Sequence, residues 1–161
     1  MTRRTPPILL LVGTQTGNSE RVADEVADAL ADAGHTSLIV DMADAVPEML
    51  AEADRLIAVL CTWSEGTFPD NAVEFFESLV AVAPDLSGVS YGIIGLGDHL
   101  YDPYFQTAAY RLADQLDAFG ARRALDHFEI DKGPSPADFE GAQAWALRCV
   151  EAFEADRAGA A

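Results

Sequence analysis

Ile8 to Glu20 reads ILLLVGTQTGNSE. The first five residues, Ile8 to Val12, are continuously apolar, the pattern of a strand covered on both faces of a parallel sheet. The remainder is a small polar turn of glycine, hydroxyl and amide residues, with no positive charge before Arg21. A buried strand that ends this way and leads into a helix is either a plain connection or a cradle for an anion. Backbone N–H groups at a helix start have no intrahelical partner and attract anions. Thr14, Thr16, Asn18 and Ser19 can add side-chain donors, and Gly13 and Gly17 let the backbone come close. With no Lys or Arg in the loop, neutral dipoles alone would hold a phosphate there. The loop matches neither the Walker pattern nor the dinucleotide glycine pattern, which weakens nucleotide hydrolysis and nicotinamide binding. Both readings stay open on this stretch alone.

Beyond it, Val22, Val26, Leu30 and Ala33 recur at helical spacing, and Gly34 supplies a stop. Leu38 to Val40 reads as a second strand and Arg55 to Cys61 (RLIAVLC) as a third, which ends in the polar loop TWSEGTFPDN. Asp70 is expected to cap the following helix, whose apolar stripe is Phe75, Phe76, Leu79 and Val80. A fourth strand, Tyr91 to Leu96, ends in GLGDHLYDPY, and Asp102 with Pro103 is expected to cap and begin the next helix. Tyr104, Ala108, Leu112, Leu116 and Phe119 line that helix, and Gly120 closes it. A fifth strand is expected within Ala124 to Ile130, partly exposed because of Asp126 and His127. Ser135, Pro136 and Asp138 form a capping box for a last helix carrying Ala142, Trp145, Cys149, Val150 and Phe153.

Strands alternating with helices at this spacing predict one α/β domain, residues 1–161, with a mostly parallel sheet and helices on both faces. Right-handed crossovers gather the loops after strands one, three and four at one end, where ligands of open α/β sheets sit.

Composition narrows the partners. A chain of 161 residues suits one core rather than two. Its 27 acidic residues against 10 basic give a net charge of -17, which argues against nucleic acid and anionic membrane surfaces and favours partners with a basic face. Cys61 and Cys149 make no CxxC pair or cysteine framework, so a reducing, cytoplasmic setting is expected. No stretch of about 18 apolar residues occurs, and a soluble chain without a membrane span is expected. His35 and His127 share no ligand spacing with the cysteines, so no metal site is proposed.

The second loop places Trp63 directly after a strand end, among Thr62, Ser64, Glu65 and Gly66; the third places Tyr101 after Leu96, Gly97 and Asp98. Either aromatic alone reads as a lid on the core. Two of them beside an anion cradle read as walls for a flat heterocycle carrying a phosphate.

These three loops, in this order and spacing, resemble the flavodoxin-like FMN-binding family, in particular the FMN domains of diflavin reductases and the small stand-alone members of the MioC kind. TQTGNSE (Thr14 to Glu20) resembles the family's phosphate loop, TWSEGTFPDNA (Thr62 to Ala72) its second flavin loop, and GLGDHLYDPYF (Gly95 to Phe105) its third. DHFEID and the helix with Trp145 resemble the last strand and helix.

The resemblance implies a flavodoxin-like doubly wound five-stranded parallel sheet of order 2-1-3-4-5. It implies FMN as cofactor, held by Thr14, Gln15, Thr16, Gly17, Asn18 and Ser19 of the first loop. The second loop would contribute Thr62, Trp63, Ser64, Glu65 and Gly66, and the third Leu96, Gly97, Asp98, Tyr101, Tyr104 and Phe105. Trp63 and Tyr101 would stack on the ring. The implied role is an electron carrier cycling FMN through semiquinone and hydroquinone, with no catalytic residue of its own. It would take electrons from an NAD(P)H-dependent flavodoxin or ferredoxin reductase and pass them, as a monomer, to an acceptor with a basic docking face. With no FAD or nicotinamide module before the chain ends at Ala161, the donor is expected in trans. The alternatives are an FMN-dependent oxidoreductase such as a quinone reductase, or a flavin-free binding domain.

Within the resemblance, Ser64 stands where diflavin members have glycine. A left-handed backbone there is expected to cost Ser64 on the order of 1 kcal/mol and to favour the neutral semiquinone less than glycine would. His99 is expected to be a solvated loop residue, and Cys61 an inert buried thiol. The acidic balance is expected to lower the potential of the second electron.

Overall fold

The computed structural model of the chain describes residues 5–159. Ile8–Gly13 forms β1, which pairs in parallel with β2 (Ser37–Asp41) on one side and β3 (Arg55–Cys61) on the other. β3 pairs with β4 (Ser90–Gly97), also in parallel. The position beyond β4 is filled by two pieces, β5 (Arg122–Arg123) and β6 (Phe128–Asp131), both parallel to β4. The strand order is the expected 2-1-3-4-5, with the fifth place divided.

The uninterrupted apolar reading of β1 has a direct structural cause. Ile8, Leu10 and Val12 point to one core, with Ile57, Val59, Ile94 and the helices α1 (Asn18–Asp32) and α5 (Pro136–Gly159). Leu9 and Leu11 point to the other, with Leu56, Ala58, Tyr91 and the helices α3 (Val73–Val82) and α4 (Thr107–Ala118). Successive strand side chains alternate between faces, so a sheet covered twice needs an apolar residue at every position. Val22, Val26 and Leu30 of α1 are fully buried, each stabilising the fold by about 1.5–3 kcal/mol. Tyr91 is also buried and donates its hydroxyl to Asp117 of α4 at 2.6 Å, which ties β4 to that helix.

Helix ends follow the sequence in part. Gly34 adopts φ 88 after α1, and the Ser135–Asp138 box closes at 2.9 and 3.2 Å at the entry to α5. Four readings are corrected. Asp70 does not cap α3: it begins a 3-10 turn, Asp70–Ala72, and its carboxylate accepts from Gln15 instead. Asp102 and Pro103 do not start α4, which begins at Thr107; Asp102 ends a 3-10 turn with ψ 140, the extended backbone that a following proline imposes. The fifth strand breaks where Asp126 and His127 leave the ladder, although the Trp145 indole donates to the Asp126 carbonyl at 2.8 Å. A short helix, α2 (Glu48–Ala53), occupies a stretch for which no element was expected.

β2 is one border of the sheet, and β5 with β6 forms the other. Leu38 and Ile39 are 53% and 40% exposed on β2.

Candidate functional site

The chain reverses its winding between β1 and β3: β1 leads to α1 on one face and β3 to α3 on the other. At the carboxyl ends of these strands and β4 lies a cavity of about 370 Å³, within the range of small-molecule sites.

The first loop supplies one wall. Gly17 precedes α1 with φ 90, a left-handed turn that favours glycine, and its N–H donates to Thr14 Oγ1 at 2.8 Å. No side chain caps α1, so the first-turn N–H groups remain free to meet a ligand. Ser19 is fully buried, lines the cavity, and its Oγ has no hydrogen-bond partner. A buried hydroxyl without a partner is destabilising by roughly 1–3 kcal/mol unless something else satisfies it. The Gln15 amide is committed elsewhere: it accepts from the Asp70 N–H at 2.9 Å and donates to the Asp70 carboxylate at 3.1 Å. Thr16, Asn18 and Ser19 remain side-chain donors, and so does Thr14, whose hydroxyl accepts from Gly17 and keeps its O–H to donate.

The second loop is a tight hairpin. Trp63 and Thr67 exchange both backbone hydrogen bonds at 2.9 Å, and Thr67 Oγ1 donates to the Trp63 carbonyl at 2.7 Å. Between them Ser64 adopts φ 48, the left-handed geometry whose cost the sequence reading made conditional. Trp63 is left 43% exposed on the cavity rim. The Thr62 hydroxyl accepts from the Ala108 N–H at 3.0 Å, fixing the hairpin to the start of α4.

The third loop turns on Asp98, whose carboxylate accepts from the Leu100 N–H at 2.8 Å, and it presents Tyr101 at 53% exposure. Gly97 is required by packing, since a Cβ there would collide with the Phe105 carbonyl. His99 is not among the residues lining the cavity. It stacks on Phe105 at 3.6 Å and pairs with Asp102 at 3.1 Å, which raises its pKa above the ordinary imidazole value.

The cavity thus gathers Thr14, Gln15, Thr16, Asn18 and Ser19 from the first loop, Thr62, Trp63 and Ser64 from the second, and Leu96, Gly97, Asp98 and Tyr101 from the third. Gly17, Glu65, Gly66, Tyr104 and Phe105 are not among the residues that line it. Tyr104 packs beside Gly66, and Phe105 lies under His99. Three lining residues escaped the sequence reading: Cys61, Lys132 and Gly133. Cys61 is the last residue of β3, so its strand-end position was the available signal. Burial pushes its thiol pKa up, which keeps it protonated and a poor nucleophile. Lys132 and Gly133 follow β6, and the divided fifth strand concealed them.

A doubly wound parallel sheet with a polar, aromatic-rimmed cavity at its switch point defines a flavodoxin-like α/β protein. The flavodoxin family model matches residues 10–145. The chain is 33% identical over 152 residues to the sulfite reductase [NADPH] flavoprotein alpha-component of Klebsiella pneumoniae, a match covering 93% of this chain and 24% of that protein. It is 32% identical over 138 residues to the NADPH–cytochrome P450 reductase of Drosophila melanogaster, covering 83% of this chain and 20% of that one. The crystal structure of oxidised Flavodoxin 2 from Bacillus cereus superposes with a TM-score of 0.82 at 27% identity, covering 90% of this chain and 98% of that one. The chain belongs to the flavodoxin family. Its family and fold support an FMN-dependent electron-carrier role, and it spans only about a quarter of the length of the curated relatives it matches. Among the described residues, no helix is long and apolar enough to cross a membrane.

Proposed function

We propose that residues 1–161 act as a single FMN-binding domain in the cytoplasm, carrying electrons as a monomer from an NAD(P)H-dependent reductase to an acceptor protein with a basic face. The observation that carries this reading is the fully buried Ser19 hydroxyl, left without a partner beside the uncapped start of α1. A phosphate received there would satisfy it together with the first-turn N–H groups. The chemistry of the donor set fits: neutral donors for the phosphate, and Trp63 and Tyr101 exposed on separate loops for the faces of a flat ring.

When bound, FMN supplies one- and two-electron redox chemistry. The chain's own residues hold and orient it. Thr16, Asn18 and Ser19 would grip the phosphate, Trp63 and Tyr101 would exclude water from the ring faces, and the backbone of Ser64 and of Gly97 to Asp98, which lines the cavity, would be open to the polar ring edge. The charge of -17 favours partners with a basic surface. The test is the visible spectrum of the purified protein with mass identification of any released chromophore. Flavin bands with FMN recovered at one per chain are expected; colourless protein that stays colourless with excess FMN overturns the reading.

A further inference from the structure

The first loop contains no cation, yet the cavity it lines does have one. Lys132 follows β6 in a left-handed conformation, φ 70, held by its N–H donating to the Gly97 carbonyl at 2.8 Å. Gly133 then brings the turn against the first loop, 4.0 Å separating Asn18 Nδ2 from the place a Gly133 Cβ would take. The Lys132–Gly133 turn therefore bridges the third loop and the first, and among the described residues Lys132 is the one Lys or Arg lining the cavity. Among the described residues, no carboxylate lies within ion-pair distance of its ammonium.

We propose that Lys132 selects phosphorylated over unphosphorylated flavin, its ammonium complementing the phosphate charge that the neutral donors of the first loop receive; this rests on the FMN reading above. The physical need is evident from the charge of the chain. A phosphate monoester carries about −1.5 to −2 charges at neutral pH, and it must enter a protein of net charge -17. Uncharged donors satisfy its oxygens but leave the repulsive field in place. A single cation on the wall offsets that field locally. Riboflavin, with no phosphate, gains nothing from it.

The test titrates the flavin-stripped full chain and its Lys132→Gln and Lys132→Arg variants with FMN and with riboflavin, at low and high salt. Lys132→Gln is expected to lose about tenfold in FMN affinity, to leave riboflavin affinity unchanged, and to show a weaker salt dependence of FMN binding. Lys132→Arg is expected to restore the ratio. Equal losses for both flavins, or no loss for either, overturn the proposal. So does a variant that binds oxidised FMN normally and loses affinity only for the reduced form, because the ammonium would then serve the ring. A parent chain that binds neither flavin overturns the FMN reading itself and this inference with it, a result distinct from any of the others.

Discussion

The Asn71 side chain accepts the Thr14 N–H at 2.8 Å while donating to the Asp41 carboxylate at 2.8 Å and the Val12 carbonyl at 3.3 Å. One amide at the end of the second loop thereby fixes the first residue after Gly13, the end of β1 and the end of β2. The cradle is held in shape from outside itself.

Removing that amide leaves partly buried groups unpaired. Asn71→Ala is expected to destabilise the fold by about 1–3 kcal/mol and to weaken FMN binding by about tenfold, the equivalent of about 1.4 kcal/mol. Urea unfolding and FMN titration measure the two effects. An affinity loss no larger than that of Gln15→Ala would mean that the cradle holds its shape without Asn71.

Ser64 occupies φ 48 between the paired Trp63 and Thr67. Ser64→Gly relieves a left-handed L-residue and is expected to stabilise the protein by up to about 1 kcal/mol. It is also expected to increase the fraction of one-electron-reduced flavin at half reduction. Thermal unfolding and spectroelectrochemical titration of both proteins check this; an equal or greater fraction in the parent contradicts it.

Two histidines are expected to titrate on opposite sides of the ordinary value of about 6.5. The hydrogen bond that its ring donates to the Asp102 carboxylate raises the pKa of exposed His99. Burial lowers that of His127, which stacks on Tyr110 at 5.1 Å with Arg123 adding to the effect and Asp126 and Asp117 opposing it. The signs differ accordingly. His99 adds stability below about pH 6.5 that is lost as pH rises through its folded pKa, whereas His127 costs stability as pH falls from about 6.5 through its lowered one. NMR titration of the imidazole protons follows both. Asp102→Asn should bring His99 down and leave His127 in place, and a His99 value unmoved by that change would refute the assignment.

Reduction adds negative charge to a cavity inside a chain of -17. The second-electron potential is expected to be low and to rise as salt screens the surrounding carboxylates. Potentials measured from low to high ionic strength decide this, and no change would count against it.

What was legible in the sequence follows from how local each signal is. The three cavity loops announce themselves because each follows an apolar run long enough to be a buried strand, and each carries small or aromatic residues out of place in a core. α2 was missed because six residues, EMLAEA, show less than two turns of period. Asp70 misled because its partner, Gln15, lies 55 residues away and competes with the cap. Asp102–Pro103 carries the same letters whether it starts a helix or ends a turn. Lys132 was hidden behind FEID, where only Ile130 is buried and the alternation is too brief to mark a strand end.

Leu38 and Ile39 are exposed on the border strand β2, beside whose outer N–H and C=O groups no strand lies among the described residues. Such a margin is a template for another copy's backbone. Mutual repulsion between highly acidic molecules keeps copies apart near neutrality, and it vanishes as pH approaches the isoelectric point of about 4.2. Acidification therefore strips away the colloidal protection of that margin, and turbidity is expected as the isoelectric point is approached.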